Sequence, residues 1–402
     1  SIFYKMKYSD LSHSITKQIT KQEKKNNGIY FTPPETVKLN IDLLKKYMPS
    51  IHTILEPSCG SCEYVNYLYD KYNSKDIIAI EFNETIYKEI KETVAEDVNL
   101  IHDDYLKFTS DKKYDLIIGN PPYYVMKKKA VDSSYYKYFD GRPNIFILFI
   151  IKSLTMLNNK GILSFILPKN FLNSLYYDKT RSYINTHCKI LHLIECNDKY
   201  IETQQQTVLL IIQKIKCSNK KFILSKQGHT VFGEPTIISK LNKLYINSNS
   251  LSELGFKVSV GNVVWNQHKT ILTNDTTKTR LIYSSDIIDN NLSIVKYKNE
   301  KKKNYINKKG IDKPMLLINR GYGVGNYSFN YCLIKGGFEY LVENHLICIA
   351  NNNTMSNAEL ISLYEKIIKS FENEKTKEFI KLYFGNNAIN TTEINYMLPI
   401  FI

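Results

Sequence analysis

Short apolar runs recur along residues 52–215, as HTILEP, DIIAIEF, NLIHDDYL, YDLIIGNPP, GILSFILP and VLLIIQKI, and most intervals between them can hold a helix. Runs of this length, rich in Ile, Leu and Val and bounded by turn formers, read as strands. Their alternation with helical segments predicts an α/β fold with a doubly wound, mostly parallel sheet. ILHLIEC supplies a seventh run. It lies too close in sequence to TVLLIIQKI for a long intervening helix, so two antiparallel strands are expected at the far edge. Upstream, in GIYFTPPETV, Thr32 reads as a helix N-cap before Pro33 and Pro34, with Glu35 in the first turn and the helix running to about Tyr47. Beyond Ser218 the pattern turns to short apolar pieces broken by Asn, Gly, Ser and Lys. A catalytic domain over 1–218 and a C-terminal α+β domain over 219–402 are expected. The basic run KNEKKKNYINKK in the latter reads as a solvated loop.

Composition narrows the partner. Lys and Arg number 54 against 39 Asp and Glu, a formal charge of +15, interspersed with 31 Tyr and 18 Phe. Cations among flat apolar rings point to a polyanion. The longest apolar stretches, such as 145–151, fall short of the ~20 residues that cross a bilayer, so no membrane partner is expected. The first 25 residues lack an apolar signal core. Seven cysteines, odd and sparse, suit reduced thiols. A cytoplasmic address, in a bacterium or in the host cell of a virus, is the expectation.

Residues 118–123, Ile-Gly-Asn-Pro-Pro-Tyr, directly follow the strand-like run YDLII. Ligands of doubly wound sheets sit at the carboxyl ends of strands. There the Asn120 amide oxygen and the Pro121 carbonyl are two rigidly held acceptors, which Pro122 and Tyr123 border. Two acceptors beside an aromatic ring suit an exocyclic amine on a planar substrate: both N–H groups are held and the nitrogen lone pair points outward. The segment ILEPSCGSCEY ends the first predicted strand in a small-residue turn, where backbone N–H groups can approach a ligand. Glu81 ends the next strand and Asp104 a third, so acids line one sheet edge as nucleotide-binding folds require for ribose and adenine.

CGSC at 59–62 invites other readings. A papain-like nucleophile would have an aromatic after the second Cys, where Glu63 stands, and no His or Asn can be assigned as its partner. No second Cys or His pair lies at zinc-ligand spacing, so no metal is expected.

In order, GIYFTPPETV, ILEPSCGSCEY, IAIEF with HDDYLKF, and YDLIIGNPPY resemble the γ-class NPPY-type DNA adenine N6 methyltransferases, the TaqI- and Eco57I-like restriction-modification methylases. The resemblance implies the seven-stranded, Rossmann-like fold of S-adenosylmethionine-dependent methyltransferases, followed by a target-recognition domain. It implies that Thr32 and Pro33 border the methionine end of S-adenosylmethionine, that Glu56 lies beneath the same loop, and that Tyr30, Ser58, Cys59 and Gly60 also bind the cofactor. Glu81 would hold the ribose, Asp104 and Tyr105 the adenine amino group, Pro122 would wall the cofactor, and Phe146 or Phe149 would touch its adenine. Asn120, Pro121, Pro122 and Tyr123 would be catalytic, with Asn120 also facing the cofactor. Cys62 stands near a position these enzymes often give to Gly. TVLLIIQKIK has no aromatic where relatives carry a second stacking ring, which leaves Phe171 as the candidate.

VSVGNVVWNQHKTIL, NRGYG, VENHLICIA and FGNNAINTTEINYMLPI resemble recognition-domain blocks of the same enzymes. They offer Trp265, Asn266, Gln267, His268, Lys269, Arg320, Asn344 and His345 to DNA, amides for adenine edges and cations for guanine or phosphate. The expectation is a monomeric modification methylase, with a possible separate cognate restriction endonuclease. It would turn an adenine out of double-stranded DNA and leave S-adenosylhomocysteine. NPPY enzymes acting on RNA or on protein glutamine, which lack such a C-terminal domain, and a non-catalytic DNA binder are the competing readings.

Overall fold

The protein is described by a computed structural model covering residues 8–196, 206–319, 329–351, 354–384 and 390–402. Seven apolar runs form one sheet from β1 (Thr53–Glu56), β2 (Asp76–Glu81), β3 (Asn99–His102), β4 (Tyr114–Gly119), β5 (Leu157–Pro168), β6 (Lys189–Cys196) and β7 (Thr207–Gln213). Their order is β3-β2-β1-β4-β5-β7-β6. β1 pairs in parallel with β2 and β4, β2 with β3, and β4 with β5. β6 and β7 form the antiparallel pair expected at the far edge, and β7, antiparallel also to β5, is the single reversed strand. The short connection after β6 permits only hairpin pairing, and β7 then slots between β6 and the parallel strands.

Strand alternation sends successive residues to opposite faces. Ile54, Leu116, Ile118, Ile166 and Leu209 pack with helices Pro34–Leu44, Glu63–Tyr72 and Glu84–Ile90. Leu55, Ile117, Leu163, Phe165 and Leu210 pack against helix Ile145–Met156 and Ile184 of helix Asp178–His187. Ten of the twelve residues of Ile145–Met156 are buried, which accounts for its nearly all-apolar sequence.

Helix Pro34–Leu44 carries Pro33, not Thr32, at its N-cap and has no side-chain cap bond; it ends three residues before Tyr47. Buried Asn40 ties this helix to its neighbours, donating to the Tyr64 hydroxyl at 2.9 Å and accepting from Ser164 Oγ at 2.5 Å.

The chain divides into two compact units, residues 1–223 with 229–235, and 224–228 with 236–402. The second holds a four-stranded antiparallel sheet (Phe256–Val260, Leu346–Asn351, Met315–Asn319, Tyr331–Ile334) and a second four-stranded sheet (Leu272–Thr273, Tyr305–Ile306, Thr279–Ile282, Tyr340–Val342). Helices Pro235–Leu244, Asn357–Phe371, Glu374–Tyr383 and Thr391–Met397 also belong to it. Among the described residues no helix is long and apolar enough to cross a membrane.

Arg181 is fully buried in the first unit, and its guanidinium donates to the carbonyls of Phe171, Ser174 and Thr230 at 2.6–2.7 Å. Arg181→Met keeps the volume but strips three buried acceptors of their donor. A loss of about 3 kcal/mol in unfolding free energy is expected by urea denaturation.

Candidate active site at the strand ends

Parallel pairing places the carboxyl ends of β1, β2 and β4 side by side, and each ends in a polar or acidic element: Glu56, Glu81 and the 119–123 turn. The turn after β1 is shaped by Gly60 (φ +53°) and by Cys62 in the left-handed region (φ +62°). Cys59 N–H donates to the Ile80 carbonyl at 2.9 Å and Gly60 N–H to Glu81 Oε2 at 2.9 Å, while Glu81 Oε1 accepts from Asn83 N–H at 2.7 Å. Glu81 thereby fixes two turns to each other. Burial raises its carboxyl above the usual range, opposed by the hydrogen bonds from Asn83 and Gly60. Asp104 lies two residues past the end of β3 rather than at it, and its Oδ1 caps its own turn by accepting from Leu106 N–H at 3.0 Å.

Asn120 is held at both ends of its amide. Nδ2 donates to the Tyr30 carbonyl at 3.2 Å, and Oδ1 accepts from the Tyr123 hydroxyl at 2.5 Å. The same hydroxyl stands 2.8 Å from the Ile166 carbonyl, so its one proton is shared between two acceptors. Ser58 Oγ donates to the Asn120 carbonyl at 3.2 Å. Segment 28–31 is therefore a structural partner of the Asn-Pro-Pro-Tyr turn. Gly28 shows why: it ends helix Lys21–Asn27 with φ +63°, and a Cβ there would lie 2.4 Å from Tyr123 N.

One cavity gathers many of the expected residues: Tyr30, Ser58, Gly60, Glu81 and Asp104 line it, as do Tyr105, Asn120, Pro122 and Phe149. Sequence reasoning missed several of its walls, notably Phe82, Ile86, Leu106, Tyr124 and Ile145. Phe82 is 65% exposed although aromatic and directly follows Glu81; its place behind a strand-end acid was the available signal. Thr32, Pro33, Glu56 and Cys59 do not line the cavity and are buried behind it. Tyr105 donates or accepts with Ser153 Oγ at 2.9 Å and packs on Phe149 at 4.9 Å between ring centroids.

Three expectations need correction. Phe146 is fully buried among Tyr123, Phe171 and Tyr177, so of the two helix aromatics Phe149 is the one at the cavity. Phe171 is likewise 0% exposed, packed by Phe146, Tyr177 and Phe232, and as placed offers no face to a base. Tyr123 leans inward, edge-on to Phe146, and its hydroxyl holds Asn120, so the ring does not stand open beside the two acceptors. In each case a core or a buried acceptor claims the side chain.

In the second unit the peptide N–H of Asn344 donates to the Val263 carbonyl at 2.9 Å, which brings the 265–269 and 344–345 blocks together. Asn266 and Lys269 are exposed, the Lys269 ammonium standing 5.6 Å from the centroid of half-buried Trp265; His268 is half-buried. His345 Nδ1 lies 2.6 Å from Glu343 Oε1. Asn344 Oδ1 is buried and without a partner among the described residues. Arg320 lies outside the described residues.

The seven-stranded sheet and its strand order are those of a Rossmann-like methyltransferase fold. Residues 6–201 match the family described as Eco57I restriction-modification methylase. The chain is 27% identical to the Type II methyltransferase M.CvrRI of Paramecium bursaria Chlorella virus XZ-6E, over 98% of this chain and 99% of that protein. It is 24% identical to the modification methylase CviBIII of Paramecium bursaria Chlorella virus NC1A, with the same coverage. Among solved structures, a DrdV-DNA complex shares the fold at TM-score 0.57 and 12% identity, over 94% of this chain and 57% of that one.

Burial, then Cys62 and Glu81, raise the Glu56 carboxyl well above the usual range, and its Oε2 lacks a partner among the described residues. A folded pKa above the unfolded one gives stability that is complete below the unfolded value and lost as pH rises through the folded value. Glu56→Gln removes that titration. Thermal melts of the ligand-free protein between pH 5 and pH 8 are expected to show a shallower decline, with the variant's gain largest at the alkaline end.

Proposed function

We propose that the chain is a site-specific DNA methyltransferase that modifies the N6 amino group of an adenine turned out of duplex DNA, as the modification enzyme of a restriction-modification system. The observation that carries this reading is the doubly tethered Asn120 amide at the strand-end cavity. The full-length similarity to viral methylases and the fold shared with a DNA complex support DNA as the substrate.

The cavity fits S-adenosylmethionine chemically. Buried Glu81 and the half-buried Asp104 can accept from ribose hydroxyls and from an adenine amine, while Phe82, Ile86, Leu106 and Phe149 provide flat and apolar walls. Ser58 and Asn120 lie toward the turn after β1. When bound, the cofactor supplies a methyl group already activated on a sulfonium.

The chain's own task is positioning. An amide oxygen has two lone pairs; one of those on Asn120 is engaged by Tyr123, which leaves the other for an N–H of the target amine. The Pro121 carbonyl, on a backbone stiffened by two prolines, accepts the second N–H. With both N–H groups held, the amine lone pair is aimed, and near-attack placement alone is worth many kcal/mol. A neutral amide cannot keep the proton that the amine sheds, so that proton passes to water.

Asn120→Ala is expected to lower kcat at least about 100-fold, since loss of orientation at the reacting centre costs that much. Nucleoside analysis of plasmid DNA from cells expressing the chain should show N6-methyladenine that the variant lacks. Absence of the modified base with the wild-type protein, folded and binding cofactor, would move the substrate to RNA or protein. Tyr123→Phe keeps the ring but frees the Asn120 amide; about a tenfold fall in kcat, with cofactor affinity unchanged by calorimetry, is expected.

A further inference from the structure

The second unit carries a large groove, about 890 Å³, that none of the expected DNA-contacting residues among the described ones lines. It sits at the amino-terminal ends of two parallel strands, Thr279–Ile282 and Tyr340–Val342, where Arg280 is opposite Tyr340. Trp265 and His345 belong to the other end: Val263 bridges to Glu343, just past the carboxyl ends of the same strands. We propose that this groove is a docking surface for the phosphate backbone of duplex DNA, distinct from the 265–269 and 344–345 tip. The proposal rests on the reading of the chain as a DNA methyltransferase.

The backbone that carries the groove's charge is held in place. Lys278, Lys308 and Lys309 are exposed along it, beside Phe338 (39% exposed) and half-buried Tyr305. Gly310 seats the Lys308–Lys309 turn against the strands so closely that a Cβ there would lie 2.5 Å from Thr279 Cγ2 and 2.7 Å from the Tyr340 carbonyl. One carboxylate, Glu339, also lines the groove, and it is engaged by the Thr279 hydroxyl and Gly310 N–H, each at 3.2 Å.

The basic run feeding the groove is anchored too. Eight lysines fall between residues 296 and 313 against Glu300 and Asp312. Buried Arg280 donates to Asp286 Oδ2 at 2.9 Å and to the Asn304 carbonyl at 2.8 Å, and the Tyr297 hydroxyl donates to Asp286 Oδ1 at 2.7 Å. The Tyr283 hydroxyl donates to the Lys303 carbonyl at 2.9 Å, and the Lys302 ammonium stands 4.0 Å from the Tyr283 ring centroid and 4.7 Å from that of Tyr297. A loop kept only for solvation has no use for such pinning. Fixing a row of like charges adds self-repulsion, which a polyanion offsets. Exposed lysines on a packed backbone along a groove, with an aromatic ring beside them, match a sugar-phosphate backbone.

Scale favours a duplex that reaches both surfaces. The four residues of strand Thr279–Ile282, at roughly 3.3 Å each, separate the groove from the tip by about 13 Å. One turn of duplex DNA covers about 34 Å, so a single duplex can touch phosphates at the groove while its bases face the tip.

The test uses the full chain and a duplex of about 25 base pairs, titrated by fluorescence anisotropy between 50 and 200 mM salt. For Lys278→Ala/Lys308→Ala/Lys309→Ala, the slope of log K against log salt is expected to fall by about 0.9 per lost phosphate contact, up to about 2.7, with affinity near 100 mM down on the order of 10²-fold. Lys308→Gln/Lys309→Gln, confined to an exposed turn, should lose up to about 1.8 of slope. Lys366→Ala/Lys369→Ala/Lys377→Ala, an equal charge change on two helices outside the groove, should retain the wild-type slope, and S-adenosylmethionine affinity should be unchanged in all. A groove variant with the slope of the helix control overturns the proposal while leaving the methyltransferase reading intact. A wild-type protein that binds cofactor but no duplex overturns both.

Discussion

Parallel pairing of β1 with both β2 and β4 is the constraint on which the rest of the first unit depends. It aligns three carboxyl ends and forces each following turn into the same small volume. Cys59 and Gly60 then find their hydrogen-bond acceptors on β2, at the Ile80 carbonyl and Glu81, rather than within their own turn. The turn after β4 finds its own on the 28–31 segment through Asn120 and Tyr30. Chemistry at the strand ends is a consequence of register: a slip of one residue would turn Glu81 and its neighbours to the opposite faces.

The Asn-Pro-Pro-Tyr turn gains its rigidity from three sources. Two prolines stiffen the backbone, Gly28 allows backbone-to-backbone contact at Tyr123, and the Tyr123 hydroxyl orients the amide. Orientation of an amide by two hydrogen bonds, one on each terminal atom, selects one of its two flipped states. Such preorganisation suits a site whose contribution is to aim an amine rather than to exchange protons.

Much of this was legible in sequence because periodicity and turn chemistry are local. The strands, the acids at the ends of β1 and β2, and the 118–123 turn all follow from runs of fewer than ten residues. Aromatic roles were not legible. Phe146, Phe171 and Tyr123 have the ring character expected of a stacking partner, but a ring's burial depends on what packs from distant segments, here Tyr177 and Phe232. The reverse error hid Phe82: its place directly behind Glu81 is written in the sequence, but its exposure is a product of the fold. Thr32 failed as a cap because Pro33 takes the N-cap position and Thr32 is buried.

The basic run at 298–309 shows the same division in the second unit. Its charge is written in the sequence, and so is its composition of Lys, Asn and Tyr. That its backbone is pinned by Arg280, Tyr283 and Tyr297 is a product of contacts over 6 to 24 residues and of strand pairing with Tyr340. By itself the sequence determined the order of strands along the chain, the residues at their ends and the sign of the charge, because these depend on neighbours in sequence. Tertiary structure alone decided which strand runs reversed, which rings face the cavity and which lysines are held in a groove, because those depend on segments that meet only when the chain folds.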